Sequence, residues 1–300
     1  MTGKVRSTLV ALFLTCALAA CAPAQLRTPK VGGDAVAAAL NARFDDTRMS
    51  CAGGTPAYDC TGVFIRATGA SPSYHAWNPN PDAGISGISF SYLRRDVGSR
   101  VLYGDQVRPQ GLIFGPGDTF GSGGVLPLTV LCAFPYDGVT GPNRAPDGCQ
   151  AFRPDFPPEN GPCLEQGIVT VDAWLAHFHS VTSFQGRYRH QCAFGGDQFS
   201  FELALRSRVN WEDEFEVMQH MELMLSSWPQ DVPEQLPLEA IFYTAGGPDA
   251  LANARFIQTD LARTSGRFVP VVRFTTDVSQ EPFSFHPEDQ GVAAVAASRR

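Results

Sequence analysis

The chain has 300 residues, of which 44% are apolar, 18% charged and 11% aromatic, and its formal net charge is −7. This composition is typical of a globular protein and too apolar for an intrinsically disordered chain. The excess of acidic residues argues against a protein that binds the phosphate backbone of nucleic acids through its overall charge. We therefore expect no nucleic-acid partner.

The first twenty residues have the pattern of an export signal. Lys4 and Arg6 precede an apolar stretch that ends in small residues. This stretch is shorter than the roughly 20 residues that a membrane-spanning helix needs. We predict a signal peptide over 1–20 and a Pro- and Gly-containing tether over 21–33.

The end of this signal also suggests a lipid anchor. The segment Leu18-Ala-Ala-Cys21 resembles the lipobox of bacterial lipoproteins, in which cleavage before the cysteine leaves that residue acylated. The resemblance implies lipidation at Cys21, and thus an envelope lipoprotein or secreted protein whose membrane contact is the anchor alone. An ordinary signal that happens to contain a cysteine is the alternative.

The first half of the folded chain contains one predicted helix and two predicted strands. Asp34 can cap an alanine-rich helix over 35–44. Short apolar runs at 62–66 and 87–93 are typical of buried strands. Residues 98–170 are crowded with Gly and Pro, so we expect loops and short strands there.

The second half alternates between helical and strand-like segments. We predict helices over 172–179 and 198–209, and late core strands over 238–243 and 268–274. The polar, proline-bearing segment 275–300 is predicted to be a disordered tail. Together these elements indicate one catalytic domain over 34–274, of the α+β class.

Six cysteines remain once the signal and the lipobox are set aside: Cys51, Cys60, Cys132, Cys149, Cys163 and Cys192. An even number in an exported protein predicts three disulfides that pin the loops. Pairing each cysteine with its nearest neighbour closes the shortest loops, but the sequence leaves the pairing open. The chain has no C-x2-C pair, so we expect no metal site.

A catalytic pattern emerges from three residue types in a fixed order. Arg66 ends the first strand, Ser89 and Ser91 alternate with apolar residues on the second, and an acidic element follows far downstream at 212–225. This order resembles the R-S-E signature of the ADP-ribosyltransferase superfamily. The resemblance implies a mixed-sheet fold in which the Arg holds the dinucleotide, the Ser-x-Ser strand orients the site, and a Glu closing an E-x-E element contacts the nicotinamide ribose. An unrelated β-rich domain is the alternative.

A second likeness covers most of the chain, from about residue 37 to 274. Five segments are similar to the halovibrin family of secreted bacterial proteins: Leu40-Asn-Ala-Arg-Phe-Asp-Asp-Thr, Cys60-Thr-Gly-Val-Phe-Ile-Arg66, Tyr74-His-Ala-Trp-Asn-Pro-Asn-Pro81, Ile88-Ser-Phe-Ser-Tyr-Leu-Arg94 and Leu236-Pro-Leu-Glu-Ala-Ile-Phe-Tyr243. The resemblance implies NAD+ glycohydrolase or ADP-ribosyltransferase activity, with NAD+ as a substrate and no permanently bound cofactor.

The identity of the catalytic glutamate depends on how the acidic element is aligned. Alignment from Trp228 makes His220-Met-Glu222 the E-x-E element, with His at the first position, whereas the letters alone select Glu214-Phe-Glu216. We favour Glu222 and keep Glu214 and Glu216 as alternatives. An amphipathic helix is the structural alternative for 211–221, since apolar residues recur there at three- and four-residue steps.

Bond cleavage between nicotinamide and ribose explains why these residue types are needed. The reaction passes through an oxocarbenium-like state, which a carboxylate such as that of Glu222 stabilises. The guanidinium of Arg66 offers fork-like contacts to phosphate. Ser89 would hold the catalytic geometry by hydrogen bonding, and Ser91, its neighbour on the same face, would contact the dinucleotide. Because His220 lacks the second carboxylate, we expect water rather than a protein side chain as acceptor.

Three aromatic side chains near the second strand are further candidates. Tyr74, His75 and Trp77 could stack on nicotinamide or adenine, although aromatic residues beside prolines also pack loops. The sequence thus predicts an exported NAD+-consuming enzyme whose partners are NAD+ and a possible protein acceptor. A non-catalytic, disulfide-stabilised envelope or adhesion lipoprotein is the competing prediction.

Overall fold

A computed structural model describes ten stretches of the chain. These are residues 32–68, 87–97, 109–116, 126–136, 149, 162–180, 192–210, 220–226, 233–275 and 281–291. The predicted signal, Cys21 and most of the predicted tether fall outside them.

Four α-helices lie within the described residues: α1 (Gly33–Asp45), α2 (Val171–His179), α3 (Gln198–Val209) and α4 (Ala250–Ser265). Side-chain caps fix the starts of two of them. Thr170 accepts a hydrogen bond from the amide of Ala173 at α2, and Asp197 accepts one from the amide of Ser200 at α3. The predicted helices are therefore present, and α4 is an additional one. The predicted cap of α1 is wrong, because the helix begins at Gly33 and Asp34 lies in its first turn.

The strands form a mixed sheet. They are β1 (Val63–Thr68), β2 (Gly87–Leu93), β3 (Gln110–Phe114), β4 (Val130–Phe134), β5 (Phe194–Gly195), β6 (Met221–Ser226), β7 (Leu238–Thr244), β8 (Val271–Phe274) and β9 (Phe283–Phe285). Their order is β5-β4-β6-β2-β1-β3-β7-β8-β9. The described ladders are antiparallel except for β7–β8, which is parallel and joined through α4. The α+β prediction is confirmed.

Two apolar layers cover the sheet, one on each side. Phe64, Phe90 and Leu223 point to the side packed by α2, α3 and α4, which we call the three-helix face. Val63 and Ile65 point to the opposite side, which we call the α1 face because α1 packs there. Successive strand residues alternate between these two faces.

The structure starts β1 one residue later than predicted, at Val63. Gly62 has φ +67°, a left-handed conformation that L side chains rarely adopt. A Cβ at this position would also lie 2.2 Å from the ring of Tyr92. Gly62 thus allows the close approach of the chain to β2 that begins the strand.

Three disulfides join nearest-neighbour cysteines. Cys51 bonds to Cys60, Cys132 to Cys149 and Cys163 to Cys192. The structure therefore selects the pairing with the shortest loops among those that the sequence left open. Cys132 lies on β4, and Cys192 lies two residues before β5.

The prediction of a disordered tail over 275–300 is wrong for residues 281–291, which belong to the fold. β9 pairs with β8, and the amide of Asn41 on α1 completes its other edge. Asn41 Nδ2 donates to the carbonyl of Phe283 at 2.8 Å, and Asn41 Oδ1 accepts from the amide of Phe283 at 2.9 Å.

A second side-chain amide, that of Gln290, holds the chain after β9 in the same way. The side chain of Gln290 pairs with the backbone of Val271, accepting from its N–H at 3.0 Å and donating to its carbonyl at 2.9 Å. Gln258 on α4 accepts from the amide of Gly291 at 2.7 Å. The polar residues that suggested disorder here satisfy buried backbone groups.

No helix among the described residues is long and apolar enough to cross a membrane.

Candidate functional site

The predicted residues Ser89, Ser91 and Glu222 lie on two neighbouring strands, and the structure sets Ser91 rather than the predicted catalytic Ser89 opposite the glutamate. β2 and β6 pair antiparallel, and Ser91 lies directly opposite Glu222, while Ser89 lies opposite Met224. Residues directly opposite each other in such a ladder point to the same face and interact. Ser89, Ser91 and Glu222 therefore share the α1 face of the sheet.

Glu222 is fully buried, and Ser91 is 6% exposed. Met221 and Leu225 lie on the three-helix face of β6. Of residues 211–221, for which an amphipathic helix was the alternative, the structure describes 220 and 221 alone, and Met221 begins a strand rather than continuing a helix. The apolar spacing that suggested a helix also fits a strand, because residues 221, 223 and 225 alternate with Glu222 and Met224.

Beside this pair, β1 and β2 separate. Their ladder ends at Ile65 opposite Ser91, whereas β1 continues to Thr68 along β3 and β2 extends back to Gly87 along β6. We call this opening the β1–β2 fork. Arg66 is the first β1 residue beyond the ladder, so the sequence places a guanidinium at the fork.

Arg66 reaches across the fork to the main chain of β2. Its Nη1 donates to the carbonyl oxygen of Ser89 at 2.7 Å. Strand alternation places Arg66 on the three-helix face, with Phe64 and Thr68, opposite to the face that carries Ser91 and Glu222. The structure thus gathers the serines and the glutamate on one face, and brings the arginine to them through the backbone of Ser89.

Hydrogen bonds fix the C-terminal end of β2, the strand that carries both serines. Tyr92 is buried, its hydroxyl lies 2.6 Å from Thr61 Oγ1, and Thr61 Oγ1 donates to the carbonyl of Ala57 at 2.9 Å. Burial raises the pKa of Tyr92 to about 12, so the phenol stays neutral. The neighbouring Arg94 is also buried and forms two hydrogen bonds to Asp96. Ser91 therefore sits on a rigid support.

Sequence reasoning missed one neighbour of this site. Phe134 of β4 lies directly opposite Glu222 on the outer side of β6, and it packs with Cys132 and Met224. The apolar run Val130–Phe134 is a usable signal for this strand. The many Gly and Pro residues of 98–170 obscure it, because they favour loops and short strands.

Several predicted site residues lie outside the described residues. These are Tyr74, His75 and Trp77, and the alternative glutamates Glu214 and Glu216. Within the described stretches, no group of three or more His, Cys, Asp or Glu side chains could hold a metal ion.

This arrangement has a definite chemical capacity. A carboxylate on a rigid strand, next to serine hydroxyls and within two strands of a guanidinium, can stabilise a developing positive charge and orient a sugar hydroxyl. When compared with models of known protein families and with characterised proteins, the chain gives no match. The proposal below is therefore argued from the residues of the site.

Proposed function

We propose that the protein cleaves the bond between nicotinamide and ribose in NAD+, with water as the acceptor. The observation that carries this proposal is the register of β2 and β6, which sets Ser91 directly opposite Glu222. The strand order β6-β2-β1 also makes the three strands of the Arg, Ser and Glu residues consecutive neighbours.

The chemistry assigns a distinct task to each group. Glu222 stabilises the oxocarbenium-like transition state through its negative charge. Ser91 orients the carboxylate and the ribose. Arg66 holds the Ser89 carbonyl from the three-helix face, and supplies positive charge for phosphates of the dinucleotide that reach it through the β1–β2 fork.

Acceptor choice follows from the residue two positions before Glu222. His220 is 4% exposed and immediately precedes β6. A neutral or positive imidazole does not attract a guanidinium as a second carboxylate would. This difference favours hydrolysis over transfer to an arginine side chain of a protein.

One observation favours the competing function, a non-catalytic envelope or adhesion lipoprotein. Glu222 is fully buried, so its carboxylate is not accessible to NAD+ from the surface. A buried Ser–Glu pair between strands could also serve the fold alone. The two functions differ in whether NAD+ is consumed.

Incubation of the purified, oxidised protein with NAD+ tests the proposal. We expect equal amounts of free nicotinamide and ADP-ribose, and little transfer of label from the adenylate part of NAD+ to added protein. Stoichiometric label on protein, with no free ADP-ribose, would assign a transferase. NAD+ that remains intact would favour the non-catalytic alternative.

A further inference from the structure

Two of the three disulfides lie at the edge of the sheet that carries Glu222. Cys132 belongs to β4, opposite Met224 of β6 on one side and Gly195 of β5 on the other. The Cys163–Cys192 bridge anchors the chain before β5, where the amide of Cys163 donates to the carbonyl of Ala193 at 2.9 Å. The third bridge closes a short turn ahead of β1.

The Cys132–Cys149 bridge emerges on the face of Glu222. Cys132, Phe134 and Met224 form one buried cluster on that face. Phe134, two residues after Cys132, is the direct neighbour of Glu222 across the β4–β6 ladder. The position of Cys132 therefore sets the position of the side chain that packs beside the carboxylate.

The backbone ladder between β4 and β6 is irregular at this point. The register of β4 on β6 shifts between Val130 and Cys132, which interrupts the ladder next to the bridge. On its outer side, β4 is supported by the two residues of β5. A covalent link at Cys132 replaces the support that a longer neighbouring strand would give.

We propose that the Cys132–Cys149 bridge is a positioning element for Glu222, and that its reduction switches off cleavage of NAD+. This inference rests on the proposed function. A dithiol reductant breaks the S–S bond by giving two electrons and two protons, which yields two thiols and a cyclic disulfide of the reductant. β4 is then free to shift on β6, and Phe134 no longer fixes the carboxylate. The enzyme is latent while its cysteines are reduced and becomes active on oxidation.

Exposure makes this bridge more accessible than its neighbour at the same edge. Cys163 and Cys192 are fully buried, whereas Cys149 is partly exposed. An attacking thiolate needs access to one sulfur. Reduction at Cys149 therefore precedes reduction of the Cys163–Cys192 bridge. The latter bridge stays intact within the core.

Paired variants test the positioning role. We expect Cys132→Ala/Cys149→Ala to lower kcat for nicotinamide release about tenfold or more, with a similar KM, because small misplacements of a reacting group are costly. The control Asn41→Ala loses hydrogen bonds to β9, at the opposite end of the sheet from β4, and should keep its kcat within about twofold. An unchanged kcat in the first variant would overturn the proposal.

A double-mutant comparison separates positioning from loss of folded protein. When Glu222 is already Gln, removal of the Cys132–Cys149 bridge should leave the residual rate nearly unchanged, because the two changes act through the same group. If removal of the bridge lowers kcat by the same factor in the Glu222→Gln background as in the wild type, the bridge acts on the folded structure as a whole. That result would contradict a positioning role.

Reduction of the wild-type chain gives a test that needs no variant. Aliquots taken during treatment with dithiothreitol are assayed for nicotinamide release, and parallel aliquots are alkylated to identify free thiols by mass. Loss of activity that follows exposure of Cys132 and Cys149, with unchanged far-UV circular dichroism, supports the proposal. Full activity with both thiols free overturns it. Absence of activity in the oxidised chain would instead refute the proposed function.

Discussion

Arg66 donates a hydrogen bond to the carbonyl oxygen of Ser89 at 2.7 Å, across the point where β1 and β2 separate. The bond joins two strands whose own ladder has already ended at Ile65 and Ser91. Arg66 thereby links β1 to β2 across the β1–β2 fork, and its positive charge lies next to Ser89.

Replacement of Arg66 by lysine tests this double role. A lysine ammonium lacks the planar fork of the guanidinium and cannot hold the Ser89 carbonyl and a phosphate in the same way. We expect Arg66→Lys to raise the KM for NAD+ roughly 10- to 100-fold, the equivalent of one hydrogen bond to a charged group. Steady-state rates of nicotinamide release at varied NAD+ concentrations give the KM of the variant and of the wild type.

Arg48→Lys is the matched control, because Arg48 is exposed and pairs with Asp46 away from the fork. Its KM should equal that of the wild type. If Arg66→Lys also leaves KM unchanged, Arg66 has no role in binding NAD+.

Asn41 should stabilise the whole C-terminal segment. Its amide makes two hydrogen bonds to the backbone of Phe283, and Asn41 is 5% exposed. Asn41→Ala leaves both backbone groups without this partner. We expect a loss of about 2 kcal/mol in the free energy of unfolding, measured by urea denaturation, and faster proteolytic removal of residues after 275.

The control for this change is Asn210→Ala, at the exposed end of α3, where the amide donates to the carbonyl of Arg206. That variant should lose much less stability. Equal losses in the two variants would show that the C-terminal segment does not depend on Asn41.

Asp197 links stability to pH at the start of α3. Burial raises its pKa, but hydrogen bonds from Ser200 and nearby amides lower it more, so the pKa lies below its ordinary value in the folded chain. A lowered native pKa means that Asp197 contributes stability above the unfolded pKa of about 3.9. This contribution is lost as pH falls through the native pKa.

Two substitutions separate the cap from the charge. Asp197→Asn keeps a capping oxygen and removes the titration, whereas Asp197→Ala removes both and should cost about 1 kcal/mol at pH 7. Relative to the wild type, the Asn variant should be less stable at pH 7, and the difference should shrink as the pH falls below the unfolded pKa of about 3.9. Denaturant melts at pH 7 and below that pKa measure this, and a pH-independent difference would contradict the assignment.

Lipidation at Cys21 remains a prediction from the sequence. Acyl chains contribute about 0.8 kcal/mol per buried CH2 to membrane binding, so Cys21→Ser should move the protein from the membrane fraction to the soluble fraction. Fractionation of expressing cells followed by immunoblotting measures the shift. Unchanged partitioning would refute the lipobox.

Elements with strong local patterns could be predicted well from the sequence. The strand at 87–93 and the helix at 198–209 have the predicted bounds, because apolar alternation marks the first and a capping Asp197 marks the second. The R-S-E order predicts that Ser89, Ser91 and Glu222 share one site. The direct opposition of Ser91 and Glu222 could not be derived, since it depends on the register between strands far apart in sequence.

Two elements, α4 and β9, have patterns too weak to be predicted from the sequence. α4 has buried residues at Ala250, Ala254, Ile257 and Leu261, a helical spacing that two alanines make faint. β9 shows the alternation Phe-Ser-Phe, but three residues are too few to outweigh the polar residues and prolines around them. Both segments acquire their structure from tertiary contacts rather than from local propensity.

The central claim is that Glu222 acts on the bond between nicotinamide and ribose. The most direct test is the kcat for nicotinamide release in Glu222→Gln, compared with Glu202→Gln on the exposed side of α3. We expect a fall of about 100- to 1,000-fold in kcat for Glu222→Gln, a similar KM, and no change for Glu202→Gln. Full activity in Glu222→Gln with loss in Glu214→Gln or Glu216→Gln would assign another glutamate. Full activity in all three variants would contradict the mechanism.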